Sequence, residues 1–222
     1  MMKRIFYAVS LSIIMTVAAL SNSANAEIKP SERESRWEMN LYTNWVNGQE
    51  IKFQEDKKLD VNGDLGWGLG LGYNLNEHVE FGVDFGQNSS SFTAHGYDEN
   101  NEPISKSGIL DTGKIYFNAT YNILPKTLTP FLTGGFGWTF VDSNISIGGD
   151  PNCWIDPYYG LQCYDATYTD TSFSYNLGLG VRWDVTHTFF LKGSINNSWI
   201  NMDNAKGTPS FIIGRLDMAL MF

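Results

Sequence analysis

Between Leu65 and Tyr73 every second residue is a glycine: Leu65, Trp67, Leu69, Leu71 and Tyr73 alternate with Gly66, Gly68, Gly70 and Gly72. A helix cannot use this pattern. Glycine is among its weakest formers, and a turn of about 3.6 residues does not sort side chains by twos. An extended strand can, because its successive side chains point to opposite faces. The stretch therefore makes one face of large apolar groups and one face that is nearly bare.

The same period recurs over about 36–46, 79–87, 110–121, 130–142, 171–184, 189–197 and 208–222. In the last of these, Ile212, Leu216, Met218, Leu220 and Phe222 share one face, while Arg215 and Asp217 lie on the other. The stretch 189–197, the seventh strand of the chain, is irregular, since Phe190 falls on its polar side. Connections alternate between long polar stretches (47–63, 88–108, 143–168, 197–208) and short turns (74–78, 122–129, 185–188). Antiparallel neighbours joined in this way put all short turns at one end and all long loops at the other. The chain has 22 Gly, 14 Phe, 11 Tyr and 7 Trp and no Ala- or Leu-rich helical segment, a composition that suits an all-β protein. The expected fold is a single eight-stranded antiparallel up-and-down β-barrel over 36–222.

Residues 1–26 read as a cleaved signal peptide. Lys3 and Arg4 precede an apolar run, and Ala24, Asn25 and Ala26 form a small-x-small cleavage site. Residues 27–35 are then a short N-terminal periplasmic segment. The formal charge is −9, and the leader carries two of the positive charges, so the mature chain is more acidic still. That excludes nucleic acid as a partner.

Alternation alone does not say which face is inside. A soluble barrel of the lipocalin kind turns its apolar face inward. Three features favour the inverted, transmembrane case. The polar face is rich in glycine, which suits a narrow interior. The apolar face carries Trp37, Trp45, Tyr73, Tyr121, Trp138, Trp183 and Phe222 near strand ends, as two interfacial girdles require. The third is the leader together with the terminal Phe222.

With that orientation Glu38, Glu80, Asp84, Arg182, Asp184, Lys192, Arg215 and Asp217 face inward in the half nearest the short turns, with Lys114 higher. A narrow interior holds such charges only as a paired network. They are expected to form one, serving either as a gate in a small pore or as a structural plug. Cys153 and Cys163 are the only cysteines, and in an exported chain the pair reads as a disulfide. The loop it closes holds Trp154, Tyr158 and Tyr159, which either form a binding surface or fold over the barrel mouth. Of three histidines only His95 falls at the long-loop end, so a lipid-modifying activity rests on it alone. No catalytic, cofactor-binding or metal-ligating residue is expected.

The whole mature chain resembles the small OmpA-like, porin-like family of outer-membrane β-barrels, through its architecture, through 130–138 and 175–183, and through its last residue. The resemblance implies a Gram-negative outer-membrane location and contact with membrane lipid and lipopolysaccharide. It implies assembly by the barrel assembly machinery, with Phe222 as the assembly signal. It also leaves open a structural, adhesive, pore-forming or receptor role. A monomer is expected, with host, phage or polysaccharide ligands at the loops, and no peptidoglycan-binding domain.

Overall fold

The alternating stretches are strands throughout. The computed structural model describes residues 29–52, 58–97, 103–146, 152–156, 158, 160–164, 167–202, 205 and 207–222; the expected leader lies outside them. Met1–Pro30 and Ser31–Phe222 are separate units, and the strands all belong to the second. In chain order they are β1 (Trp37–Val46), β2 (Gln49–Lys52), β3 (Lys58–Val61), β4 (Asp64–Asn74), β5 (Val79–Tyr97), β6 (Pro103–Asn122), β7 (Leu128–Ser146), β8 (Asn152–Asp156), β9 (Gly160–Tyr164), β10 (Thr167–Asp184), β11 (Phe189–Ile200) and β12 (Ser210–Met221).

Eight of these, β1, β4, β5, β6, β7, β10, β11 and β12, form a closed antiparallel ring. Closure is made where β12 pairs with β1 from Glu38↔Met221 to Val46↔Ile213. Trp37 and Phe222 exchange both backbone hydrogen bonds, at 2.9 and 3.0 Å. Stepping across paired residues from Trp37 passes through Tyr73, Phe81, Ala119, Gly134, Leu177, Asn197 and Ile212. The step after Ile212 returns to the first strand at Asn47, whose amide donates to Ile212 O at 2.9 Å. The ring is thus staggered by ten residues, from 37 to 47, over eight strands. With ordinary strand spacing this gives a tilt of roughly 40° and a backbone radius of roughly 8 Å.

The faces sort as an inverted barrel requires. Trp37, Leu41, Trp67, Leu69, Phe85, Phe136, Leu179 and Trp183 are exposed, while Glu38, Asn44, Glu80, Arg182, Lys192 and Asp217 are buried. Two glycines show how tight the interior is. A Cβ on Gly70 would run into the side chains of Asn40 and Asp84, and one on Gly86 would lie 2.7 Å from Lys114 Cε. The bare face of β4 is the space these side chains occupy.

The strands run further beyond the apolar band than apolar alternation suggests. Most of the expected loop 88–108 is a hairpin in which β5 and β6 stay in register to Tyr97↔Pro103. Ser89, Ser91 and Thr93 alternate there with Ser90, Phe92 and Ala94, so the period is present but the contrast between faces is weak. The expected loop 47–63 folds into the β2–β3 hairpin, which joins β5 from Lys58↔His95 to Val61↔Phe92. The expected loop 143–168 holds the β8–β9 hairpin, and that at 197–208 is shortened by strand at its start. Ile51, Val61, Phe92, Leu110, Val141, Ile200 and Phe211 close into an apolar core at the loop end of the lumen.

Leu69 separates the inverted barrel from a soluble one, because it is half exposed in mid-strand. Leu69→Arg should lower stability by about 2–4 kcal/mol in lipid vesicles. At a water-facing site the same change is worth within about 0.5 kcal/mol. Urea titration of vesicle-embedded protein distinguishes these outcomes.

Candidate functional site

The interior charges are brought together by strands far apart in sequence. Nearest the short turns, Arg182 on β10 reaches three acids. Its Nη2 lies 2.6 Å from Glu38 Oε1, its Nη1 3.3 Å from Glu80 Oε2, and its Nε 2.6 Å from Asp184 Oδ1. Lys192 on β11 donates to Glu38 Oε2 at 3.2 Å and to the two Glu80 oxygens at 2.7 and 2.8 Å. Asn74 adds a hydrogen bond to Glu38 Oε1 at 2.6 Å. Phe190, irregular in the sequence, is fully buried, with the Arg182 guanidinium 4.0 Å and the Lys192 ammonium 5.0 Å from its ring centre. An aromatic face is a favourable surface for both cations once water is removed.

A third cation completes this cluster. Arg33, fully buried, places Nη2 3.3 Å from Asp184 Oδ2 and donates the same nitrogen to Lys126 O. Burial pushes its guanidinium below its ordinary pKa, and Arg182 adds to that. Asp184, Glu38 and Glu80 oppose it. Three cations, Arg33, Arg182 and Lys192, thus face three acids, Glu38, Glu80 and Asp184.

A second cluster lies deeper. Arg215 forks onto Asp84, with Nη1 to Oδ2 at 2.5 Å and Nη2 to Oδ1 at 3.2 Å, and onto Asp217, with Nη2 to Oδ1 at 2.6 Å. Its guanidinium stacks 3.7 Å from the centre of the Tyr42 ring. Asn118 donates to Asp84 Oδ2 at 2.8 Å and Asn40 to Asp217 Oδ1 at 2.7 Å, which satisfies further carboxylate lone pairs. Bidentate, charge-assisted bonds of this kind are among the strongest available to side chains. A cavity of about 90 Å3 runs past both clusters, lined among others by Glu80 and Lys192 at the turn end and by Lys114, Tyr116, Arg215 and Ser198 further in. It has room for a few waters. The turn-end cluster borders it on one side, and the apolar core closes the lumen on the other.

The nine inward charges read from the sequence therefore all face the lumen or its mouth, but not as the single network expected. No ion pair joins the two clusters among the described residues, and Lys114 makes none there. It faces the cavity on the side of Tyr42 and Gly86. The stagger of the strands is the reason. Glu38 is level with Met221 whereas Tyr42 is level with Asp217, so Glu38 and Asp217 belong to different layers. Sequence reasoning misses Arg33 because its segment has no periodicity. The available signal is neutrality, since Glu38, Glu80 and Asp184 outnumber Arg182 and Lys192 by one.

His95 lies on the outer wall of β5, with Ser105 Oγ 2.9 Å from Nδ1 and Asp60 Oδ2 3.2 Å from Nε2. The His95 and Asp60 side chains are each a little under half exposed, and none of the three residues lines the cavity. His78 and His187 sit at the short turns. The cysteine side chains lie outside the described ones, but the β8–β9 register sets Cys153 opposite Cys163. Tyr158 is exposed, and the Trp154 side chain and Tyr159 lie outside what is described.

Arg182 and Lys114 should differ sharply on replacement. Arg182→Met strips the pairing from three buried acids and should cost about 3–5 kcal/mol. Lys114→Met breaks no ion pair and should cost about 1 kcal/mol or less. The shift in urea midpoint in vesicles measures both; equal losses would show that the turn-end cluster is not the tighter one.

The sequence matches the family described as outer membrane protein beta-barrel domain over residues 10–212. No curated protein matches it. Among solved structures it is similar to Neisserial surface protein A, at 12% identity over 83% of this chain and 95% of that one, with a TM-score of 0.50. It is also similar to the N-terminal β-barrel domain of Pseudomonas aeruginosa OprF, at 16% identity over 85% of this chain and 98% of that one, with a TM-score of 0.48. At such identities the likeness to Neisserial surface protein A is one of fold. With most of its length matched by the family and its eight strands closed as that fold requires, this chain belongs to the outer membrane protein β-barrel domain family.

Proposed function

We propose that this protein is a non-enzymatic structural barrel of the Gram-negative outer membrane whose surface hairpins carry a recognition role. The narrow lumen, stopped at both ends, carries this reading. Charges paired at one end and an apolar core at the other leave the β2–β3, β5–β6 and β8–β9 hairpins as the chemistry a partner can reach. The apolar band contacts membrane lipid and lipopolysaccharide. Phe222, exposed beside Trp37, is the signal read by the barrel assembly machinery. The leader is removed after Ala26, the folded protein is a monomer, and Cys153 and Cys163 form a disulfide that staples the β8–β9 hairpin. Host, phage or polysaccharide surfaces are the ligand classes for such hairpins.

Replacing 152–164 by a short Gly-Ser turn tests the recognition role. Bacteria displaying the parent protein should adhere to at least one surface in a panel of immobilised polysaccharides and epithelial monolayers. Adhesion should fall to the level of cells lacking the protein once the hairpin is replaced, with the barrel still folded by its gel shift on boiling. Adhesion unchanged by the replacement would remove the role from this hairpin.

The polar cavity favours a second reading, a narrow pore past Arg215 and Lys114. The purified protein should give no discrete conductance steps in planar bilayers. Regular steps would favour the pore.

A further inference from the structure

The segment 31–36 belongs to no strand, yet it is fastened to all three short turns. The Ser31 amide donates to Pro125 O at 3.2 Å and the Ser35 amide to Asn74 O at 2.9 Å. The Arg36 guanidinium donates to His187 O at 2.7 Å, and Glu32 meets His187 Nδ1 at 2.6 Å on the rim. Between these fastenings Arg33 turns inward. It shares Asp184 with Arg182, one guanidinium on each carboxylate oxygen. Its Nε and Nη1 are buried without a hydrogen-bond partner.

The barrel closes without the segment, because β1 pairs with β4 from Trp37 and with β12 from Glu38; the segment adds only an end bond, from the Asn74 amide to Arg36 O at 2.9 Å. Undocking breaks these hydrogen bonds, the Glu32–His187 rim pair and the buried Arg33–Asp184 pair but leaves the eight-strand ring in place, which makes it a local opening and not a global one. Once Arg33 leaves, Arg182 and Lys192 face Glu38, Glu80 and Asp184, so the exposed mouth carries one excess negative charge. Asp184 Oδ2 and Lys126 O, both within reach of the single nitrogen Nη2 of Arg33, are then left as neighbouring acceptors.

We propose that the segment 31–36 is a stopper for the turn-end mouth of the lumen, and that the mouth is a guanidinium-binding pocket occupied by the protein's own Arg33. The pocket takes a hydrogen-bond-donating cation, from an arginine side chain of another chain or from a small guanidinium compound. The stopper opens the lumen from the turn side without unfolding the barrel.

Thr120 provides the reporter. It lines the cavity, is buried, and is level with Glu80 just inside the stopper. Thr120→Cys is made in the full chain with Cys153→Ser and Cys163→Ser, and its reaction with a small cationic methanethiosulfonate is timed in folded protein. The reaction should be slow in this background and at least about tenfold faster with Arg33→Ala, the change expected when a local opening cost of about 1.4 kcal/mol is removed. Millimolar guanidinium should slow the Arg33→Ala reaction again, and tetramethylammonium at equal ionic strength should not. Glu32→Ala with His187→Ala removes only the rim pair and should speed the reaction a few-fold, as a surface pair allows. That double variant decides the matter if Arg33→Ala does not fold, as judged by its gel shift on boiling. Unchanged rates in folded variants would overturn the stopper. Acceleration that guanidinium fails to reverse, or that tetramethylammonium reverses equally, would overturn the pocket.

Discussion

The pairing of β12 with β1 is the constraint on which everything else in this molecule rests. It leaves the membrane-level ring without an open sheet edge, so each of those strands finds its hydrogen-bond partners in a neighbour. In hydrocarbon no other sheet arrangement survives, because an unpaired backbone group costs several kcal/mol there. Closure also creates an inside. With a stagger of ten residues over eight strands that inside is narrow, and it is filled by side chains rather than solvent. The glycines of β4 exist for the same reason, since Asn40, Tyr42 and Asp84 occupy the room their missing side chains leave.

A narrow interior that carries charge has to balance it. Here the balance is struck layer by layer. Arg33, Arg182 and Lys192 neutralise Glu38, Glu80 and Asp184 at the turn end, and Arg215 divides itself between Asp84 and Asp217 above. Lys114 faces the same cavity without an ion pair among the described residues. At the loop end the chain changes strategy and closes the lumen with Phe92, Leu110, Val141 and Phe211. This region stands beyond the apolar band, where the β2–β3 hairpin and the extended walls of β5 and β6 shelter an apolar core. The two seals differ in kind. One is made of ion pairs plus a segment that is not part of the sheet; the other is made of packed side chains on the sheet itself.

Legibility in the sequence tracks the strength of the alternation. Where large apolar residues oppose Gly or polar ones, as at 65–73 and 175–183, the strand, its outward face and its place in the ring are all legible. Where hydroxyl-bearing residues fall on both faces, as at 89–93, the period survives but the contrast does not, and a strand reads as a loop. The seventh strand looks weak because of Phe190, which is in fact the aromatic floor under Arg182 and Lys192. Position along a strand does not give height in a staggered barrel, so the sequence suggests one charge network where two layers exist. Arg33 carries no periodic signal; only the excess of one acid at the turn end points to it.

Water permeability tests the sealed interior most directly, because water is small enough to report any continuous polar path. Vesicles containing the folded protein, mixed rapidly with a hyperosmotic sucrose solution, should shrink at the rate of empty vesicles whatever the protein content. A shrinkage rate that rises in proportion to the amount of folded protein would contradict a lumen closed by ion pairs at one end and an apolar core at the other.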